Sequence, residues 1–464
     1  MTDPSLTSYF SPLTSKEDTI CALATAPGGA LGIIRVSGPK AFEAVSTLCS
    51  VRCDSVPANT VHFTHIISQG EVIDEVMVSV FKAPKSYTGE DCVEISCHGS
   101  RYILNKVLEL LIQQGCRMAN PGEFTQRAYL NGKMDLSQAE AVADLIASSN
   151  EATHQLAMNQ LRGGISTELS RLREHLLKLT SLLELELDFS DHEDLEFADR
   201  SELLELAQKI DARITHLAQT FETGQTLKHG IPVTIVGKTN VGKSTLLNQL
   251  IGDERAIVSD IHGTTRDTIE ETMEINGVQF RFIDTAGIRK TQDEVEQIGI
   301  ERTIQKIKQA RIIIWLLDQR PSLNEMDEMK ALSKGKSCIY VHNKSDLIDI
   351  NKFNPYILPF TMISAKKGDG IDSLKRHIYE EAQRAGLTTN ANDIIVSNAR
   401  HYDALLRSHD SILRVIDGLH QQQSGDLLSE DLRLTLDTLA EITGGQITPQ
   451  ETLTNIFSHF CVGK

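Results

Sequence analysis

The sequence predicts a multidomain chain of α/β and α class: an α+β module at the N-terminus, a helical domain, and a doubly wound α/β domain inserted into the helical one. Three textures along the chain predict this. From about residue 19 to 121, short β-rich runs alternate with turn signals. From about 136 to 225, and again from about 391 to 460, the pattern is amphipathic and helical. Between the helical stretches, from 231 to about 378, strand and helix alternate. Boundaries are set at residues 1–132, 133–228, 229–385 and 386–464, with the second and fourth segments making one helical domain.

Within the first segment, Ala30-Leu-Gly-Ile-Ile-Arg-Val-Ser-Gly38 reads as a strand closed by a turn. Val72 to Phe81 and Cys92 to Cys97 read as strands, and Tyr102 to Gln114 as a helix. Arg35 inside an apolar strand calls for a buried anionic or bidentate partner. Further on, Ser137 reads as the cap of a helix, and breaks fall at Gly163-Gly164 and from Asp188 to Asp194. Leu172, Leu176, Leu179, Leu183 and Leu187 recur at helical steps and read as a core stripe. The acidic run Asp188 to Glu196 reads as a solvated turn and helix start.

At 464 residues the chain exceeds one ordinary core. Its 40% hydrophobic and 23% charged residues are those of a water-soluble protein. The strongest apolar run, Ile312 to Leu317, is far short of the roughly 20 residues a membrane helix needs. The polar, acidic N-terminus lacks the series of a secretory signal, so a cytoplasmic location is expected. Eight cysteines form no CxxC pair and no zinc-finger spacing, and reduced thiols are expected. The spacing of Cys49 and Cys53, four apart, is compatible with one helix face, but no second pair completes a metal site. A net charge of −17 argues against broad electrostatic binding of nucleic acid, so any RNA would need a local patch or shape.

The chemistry concentrates between residues 237 and 366. Gly237-Lys-Thr-Asn-Val-Gly-Lys-Ser244 matches GxxxxGK[ST] between an apolar strand, Val233 to Val236, and the helical Thr245 to Leu250. Glycines let successive amides of Asn240, Val241, Gly242 and their neighbours curl toward phosphate, and the helix N-terminus adds positive potential. Lys243 would neutralise β and γ phosphates, and the Ser244 hydroxyl would ligate Mg²⁺. Such a pattern arises by chance in roughly one or two chains per hundred of this length, so further motifs have to decide.

They do. Asp284-Thr285-Ala286-Gly287 follows the strand Val278 to Ile283, where a metal-facing Asp and a γ-phosphate amide belong. Asn343-Lys344-Ser345-Asp346 follows Cys338 to His342; the Asp346 carboxylate can accept two hydrogen bonds from guanine, which adenine cannot supply. Ser364-Ala365-Lys366 follows Phe360 to Ile363 and suits a base-closing loop. The nucleotide is therefore GTP. Gly263-Thr264-Thr265-Arg266-Asp267 lies between the first and third motifs, and Thr265 is the candidate to complete Mg²⁺ coordination in a switch loop. After Gly287 stands Ile288, which cannot orient water, so another group must. Asn240 offers a carbonyl oxygen for a monovalent cation near the phosphates, or is simply a turn-forming Asn.

With these residues in hand, nearly the whole chain resembles the MnmE (TrmE) family of tRNA-modification GTPases. The distinctive marks are Gly32-Ile-Ile-Arg-Val-Ser-Gly38, Tyr87-Thr-Gly-Glu-Asp91, Pro121-Gly-Glu-Phe-Thr-Gln-Arg-Ala-Tyr-Leu-Asn-Gly-Lys133, Gly263-Thr-Thr-Arg-Asp267 and Cys461-Val-Gly-Lys464. The resemblance implies a homodimer working with an FAD-dependent MnmG-like partner. Together they would add an aminomethyl or carboxymethylaminomethyl group to C5 of the wobble uridine of certain tRNAs. It implies K⁺ on Asn240, Ser259, Ile261 and Thr264, Mg²⁺ on Ser244 and Thr265, and GTP contacts that include Thr245, Asp260 and His262. His262 departs from the small residue usual there. Glu296 matches the water-orienting acid, and Cys461 the C-terminal cysteine implicated in the modification. A 5-formyltetrahydrofolate or related folate would bind Arg35, Glu94, Lys133 and Lys464, making residues 1–132 a folate-binding and dimerisation domain. Without the resemblance, Glu94 would read as solvent-facing and Lys133 as a loop lysine.

A ribosome-assembly GTPase that uses GTP as a timer shares the nucleotide motifs, but predicts a basic RNA-binding appendage that this composition does not supply. A membrane-linked GTPase transporter predicts a transmembrane segment.

Overall fold

The computed structural model describes residues 18–188, 200–252, 271–283, 304–347, 360–388, 393–445, 450–458 and 460–463. The chain divides into two compact units, Met1–Ala143 with Ala440–Lys464, and Asp144–Leu439. The last 25 residues thus belong with the N-terminal module, although in sequence they continue the helical run assigned to 386–464.

In the first unit six strands form one sheet in the order β3-β4-β5-β2-β1-β6. They are β1 (Ile20–Leu23), β2 (Leu31–Ser37), β3 (Thr60–Ser68), β4 (Glu71–Phe81), β5 (Cys92–His98) and β6 (Arg117–Met118). Three of these match the strands expected near 30–38, 72–81 and 92–97. Helices α1 (Ala41–Leu48) and α2 (Arg101–Gln113) bury Ala41, Val45, Leu104, Val107 and Leu111 against Ile34, Val36, Val78 and Ile95. The alternating burial of β2 and β5 follows from a sheet with one packed face. Cys49 and Cys53 do not share a helix face: Cys49 caps the end of α1, and both thiols approach the Val51 carbonyl at 3.9 Å. A helix that stops at Leu48 cannot carry both.

Helix α3 (Glu123–Leu130) carries much of the Pro121–Lys133 motif and buries its charged residues. Glu123 receives Arg117 at 2.6 Å and Arg127 at 3.1 Å, and Asp18 receives both arginines. Glu90 of the Tyr87–Asp91 motif accepts from Arg127 at 3.2 Å and from Ser37 at 2.8 Å. Burial alone would raise the Glu123 carboxyl, but hydrogen bonds from Arg117 and the Asn120 amide hold it below its usual range. Three motifs distant in sequence are therefore one ionic network.

Helix α4 (Leu136–Ala147) corrects the expected cap. Asp135 Oδ1 accepts from the Gln138 amide at 2.9 Å and from the Ser137 hydroxyl at 2.7 Å, and the Gln138 side chain returns to the Asp135 amide. Asp135 closes the capping box, and Ser137 is a fully buried helix residue.

The second unit holds a sheet in the order β12-β11-β10-β7-β9-β8. Its strands are β7 (Ile231–Val236), β8 (Glu271–Ile275), β9 (Val278–Phe282), β10 (Ile312–Leu317), β11 (Ser337–His342) and β12 (Thr361–Met362). All pairings are parallel except β8 with β9. Every residue of β10 is buried, as a central strand covered on both faces requires. Ile312, Ile314 and Leu316 pack on one side, and Ile313, Trp315 and Leu317 on the other.

Helices α5 (Glu151–Leu161), α6 (Gly164–Asp188), α7 (Arg200–His229), α11 (Ala399–His420) and α12 (Gly425–Thr443) make the helical part, with α8 (Lys243–Ile251), α9 (Leu323–Leu332) and α10 (Ile371–Arg384) around the sheet. Leu172, Leu176, Leu179 and Leu183 of α6 are buried as the stripe predicted; the Leu187 side chain and the run 189–196 lie outside the described residues. Helix α7 joins α11 through the stacked rings of Phe221 and Tyr402, at 4.3 Å, and the pair His409–Asp211 at 2.6 Å. Two flanks of the α/β segment, far apart in sequence, thus pack together as the inserted arrangement requires. Among the described residues no helix is long and apolar enough to cross a membrane.

Candidate functional site

The phosphate cradle follows from β7 delivering the chain to the sheet edge and α8 carrying it away. Gly237 has φ +154°, and a Cβ there would lie 2.3 Å from the Leu316 carbonyl oxygen. Gly242 has φ +101° and precedes the first turn of α8; a Cβ there would meet Asn343 Nδ2 at 2.4 Å. Asn240 also takes a left-handed backbone, φ +60°, as asparagine does in turns. The Lys243 ammonium folds over the loop and donates to the carbonyls of Gly237 and Lys238, each at 2.7 Å. Burial, with Lys306 nearby, pushes its pKa below the usual lysine range. Ser244 and Thr245 follow in the same helical turn, and Val241 is buried beneath the loop.

The base-reading side is fastened to this cradle. Asn343, buried, donates through Nδ2 to the Val241 carbonyl at 2.8 Å and accepts at Oδ1 from the Ala365 amide at 2.9 Å. One side chain thereby joins the phosphate loop, the Asn343–Asp346 loop and the Ser364–Lys366 loop. The Ser364 hydroxyl donates to Asp346 Oδ1 at 2.8 Å. That bond, helped by the charges of Lys367 and Lys366, holds the Asp346 carboxyl below the usual carboxylate range despite its solvent access. An ionised acceptor aimed from a short 3₁₀ turn (Ser345–Leu347) is what guanine recognition needs. The Ser345 amide donates to the Ile363 carbonyl at 3.0 Å, and Lys344 pairs with Asp318 at 2.6 Å.

The structure therefore brings together Asn240, Val241, Gly242, Lys243, Ser244, Thr245, Asn343, Lys344, Ser345, Asp346, Ser364, Ala365 and Lys366 at the C-terminal ends of β7, β11 and β12, parallel strands of one sheet. Ser259, Asp260, Ile261, His262, Gly263, Thr264, Thr265, Asp284, Thr285, Ala286, Gly287, Glu296 and Lys464 lie outside the described residues.

In the first unit, Arg35 finds the partner its sequence context called for. The β2–β5 register sets it opposite Glu94, and both Nε and an Nη donate to Glu94 Oε1, at 2.9 and 2.8 Å. Glu94 is thus an ion-pair partner instead of a free surface carboxylate. The guanidinium lies 5.3 Å from the Tyr87 ring centre and 5.6 Å from that of Phe124, and contacts the Gly463 carbonyl at 3.4 Å. Gly463 has φ +97°, and a Cβ there would lie 2.2 Å from the Leu23 carbonyl oxygen, so the terminal segment sits tight against the sheet. Lys133 donates to the Pro84 carbonyl at 2.9 Å. Cys461 is exposed with a free thiol. No sequence spacing marks Tyr87 or Phe124, although both lie inside distinctive motifs; only the fold sets them around the Arg35 guanidinium.

A glycine-bent phosphate loop between a parallel strand and a helix, laced to an ionised guanine-reading carboxylate, defines a P-loop GTPase. The comparisons narrow that class. The family described as GTP-binding protein TrmE N-terminus matches residues 19–133, and the MnmE helical domain matches residues 136–461. A tRNA modification GTPase MnmE of Phocaeicola vulgatus is 52% identical, over 97% of this chain and 99% of its own. The Bacteroides fragilis and Porphyromonas gingivalis proteins of that name are 51% and 50% identical over 97% of this chain, and 100% and 98% of theirs. This chain belongs to the MnmE family of tRNA modification GTPases.

Proposed function

We propose that the chain is a K⁺-activated GTPase that acts as a homodimer with an FAD-dependent, MnmG-like partner. The pair would add an aminomethyl or carboxymethylaminomethyl group to C5 of the wobble uridine of certain tRNAs, in the cytoplasm. The observation that carries the GTPase half is the Asn343 bridge, which ties the phosphate loop to the loop bearing Asp346. Likeness to full-length relatives named for tRNA modification supports the other half.

In this reading the Lys243 ammonium exchanges the carbonyls of Gly237 and Lys238 for phosphate oxygens, a trade from dipoles to full negative charge. Ser244, a hard oxygen ligand in the first turn of α8, suits Mg²⁺, with Thr265 completing the set. Asn240, within the phosphate loop and at a left-handed turn, carries a carboxamide oxygen of the kind that ligates K⁺, with Ser259, Ile261 and Thr264 as companions. Such an ion supplies positive charge where the β–γ bridge becomes negative, work that an arginine finger does elsewhere for about 10³–10⁵-fold in rate. Glu296 would orient the attacking water in place of Ile288.

Arg35, over the Tyr87 ring and paired with Glu94, supplies a cation and an acceptor beside an aromatic side chain. That donor set fits a folate; the family resemblance adds Lys133 and Lys464 to it and assigns Cys461 to the modification step.

Replacing K⁺ by Na⁺ is expected to lower steady-state GTP turnover by about 10-fold or more, while GDP affinity changes little, because the ion acts on the developing charge. Equal rates in the two salts would remove Asn240 from catalysis. Mass spectrometry of tRNA from cells lacking this chain tests the broader reading. Loss of the C5 substituent at the wobble uridine is expected; intact tRNA with immature ribosomes would favour a GTP-timed assembly factor.

A further inference from the structure

Asp318 lies outside the nucleotide motifs, yet it is ion-paired to Lys344 of the base-reading loop. It is the first residue beyond β10, and the register that pairs Leu317 with His342 carries it to the level of Asn343. Lys344 comes next, at φ +62°, a left-handed backbone that a residue with a side chain adopts only where its surroundings impose it. Neighbouring bonds impose it: the Asn343 amide donates to the Leu317 carbonyl at 2.7 Å, and the Ser345 amide to the Ile363 carbonyl at 3.0 Å. From this turn the Lys344 side chain reaches Asp318, Nζ donating to Oδ2 at 2.6 Å. Both side chains are partly buried, 38% and 28% exposed, so the pair is less screened than a surface contact.

Lys344 is therefore held at both ends, its backbone by strand neighbours and its ammonium by Asp318. In sequence it stands between Asn343, which is bonded to the phosphate loop, and Asp346, whose carboxylate accepts from Ser364. A lysine stem is among the most costly side chains to immobilise when a ligand binds, and one frozen beforehand removes that cost from binding.

We propose that Asp318 is a positioning residue for the guanine nucleotide, fixing the Lys344 side chain in one course along the entry to the base site. This rests on the GTP reading and extends it to a residue outside the nucleotide motifs. It acts only through Lys344, which makes it separable from a structural role.

Titration with N-methylanthraniloyl-GDP and steady-state GTP hydrolysis, on the full chain, test it. Asp318→Ala is expected to weaken the fluorescent GDP and raise KM for GTP, each by about tenfold, with kcat changing by less than about twofold. Asp318→Glu should recover part of the loss. Asp318→Asn, of the same shape but uncharged, should show an intermediate loss and guards against misfolding of the alanine variant. In a Lys344→Met background, Asp318→Ala should add less than about twofold, because the group it works through is gone. Wild-type affinity in both Asp318→Ala and Asp318→Asn, or full additivity with Lys344→Met, would overturn the proposal while GTP binding stands. Failure of the wild-type chain to bind the fluorescent GDP would overturn the GTP reading itself.

Discussion

Asp346→Asn is expected to weaken GTP binding by about 10²-fold or more and to turn the preference toward XTP. The carboxylate accepts from two guanine donors, N1–H and the exocyclic amine. An asparagine carboxamide keeps one acceptor and turns a donor toward the second position, where guanine also presents a donor. Xanthine has a carbonyl in place of that amine and restores the match. The Ser364 hydroxyl, which now donates to Asp346 Oδ1 at 2.8 Å, can donate equally to an amide oxygen, so the loop itself should survive. Competition between GTP and XTP for the purified variant reads the result. A variant that keeps the wild-type order of preference would separate Asp346 from base recognition.

Asn343→Ala has the second large expected effect, and it falls on stability as well as binding. The side chain is 3% exposed and satisfies the Val241 carbonyl and the Ala365 amide at once. Its removal leaves both of those groups buried without a partner, and each such group costs about 1–3 kcal/mol. A loss of about 2–4 kcal/mol in urea unfolding of the unit is expected, together with loss of measurable GTP binding, since three loops lose their common tie. Gly242 adds a further constraint, because its α-carbon approaches the same asparagine too closely for any side chain. Unchanged stability would mean that water or a shifted backbone replaces the bridge.

The GTP site was legible because its signals are local. Glycines at 237 and 242, a lysine and a hydroxyl residue stand within one loop, and the apolar run of β10 announces a strand buried on both faces. The three loops meet because parallel strands end at one edge of a sheet, a consequence of fold class that the sequence supports. What sequence left open is pairing across distance. Arg35 called for an anion, but only the register of β2 with β5 singles out Glu94, 59 residues on. The Gly463 carbonyl at the same guanidinium comes from the opposite end of the chain, and no periodicity connects the two.

Other differences are local contests decided by geometry. Ser137 and Asp135 are both competent caps, and the Asp carboxylate wins by accepting from the Gln138 amide while its own amide is met by the Gln138 side chain. The charges of α3 look like a surface helix in sequence; Glu123 and Arg127 are interior because Glu123 pairs with Arg117 and Arg127, and Arg127 also with Asp18 and Glu90. Asp318 gave no signal, since a single acid after an apolar strand most often faces water.

A competition titration on the wild-type chain tests the central claim most directly, with N-methylanthraniloyl-GDP bound and GTP or ATP added in K⁺ and Mg²⁺ buffer. Full displacement by GTP, with ATP needing roughly 10³-fold higher concentration or more, is the predicted result, because adenine lacks the donor pair that Asp346 accepts. Displacement by ATP at the same concentrations as GTP would contradict it.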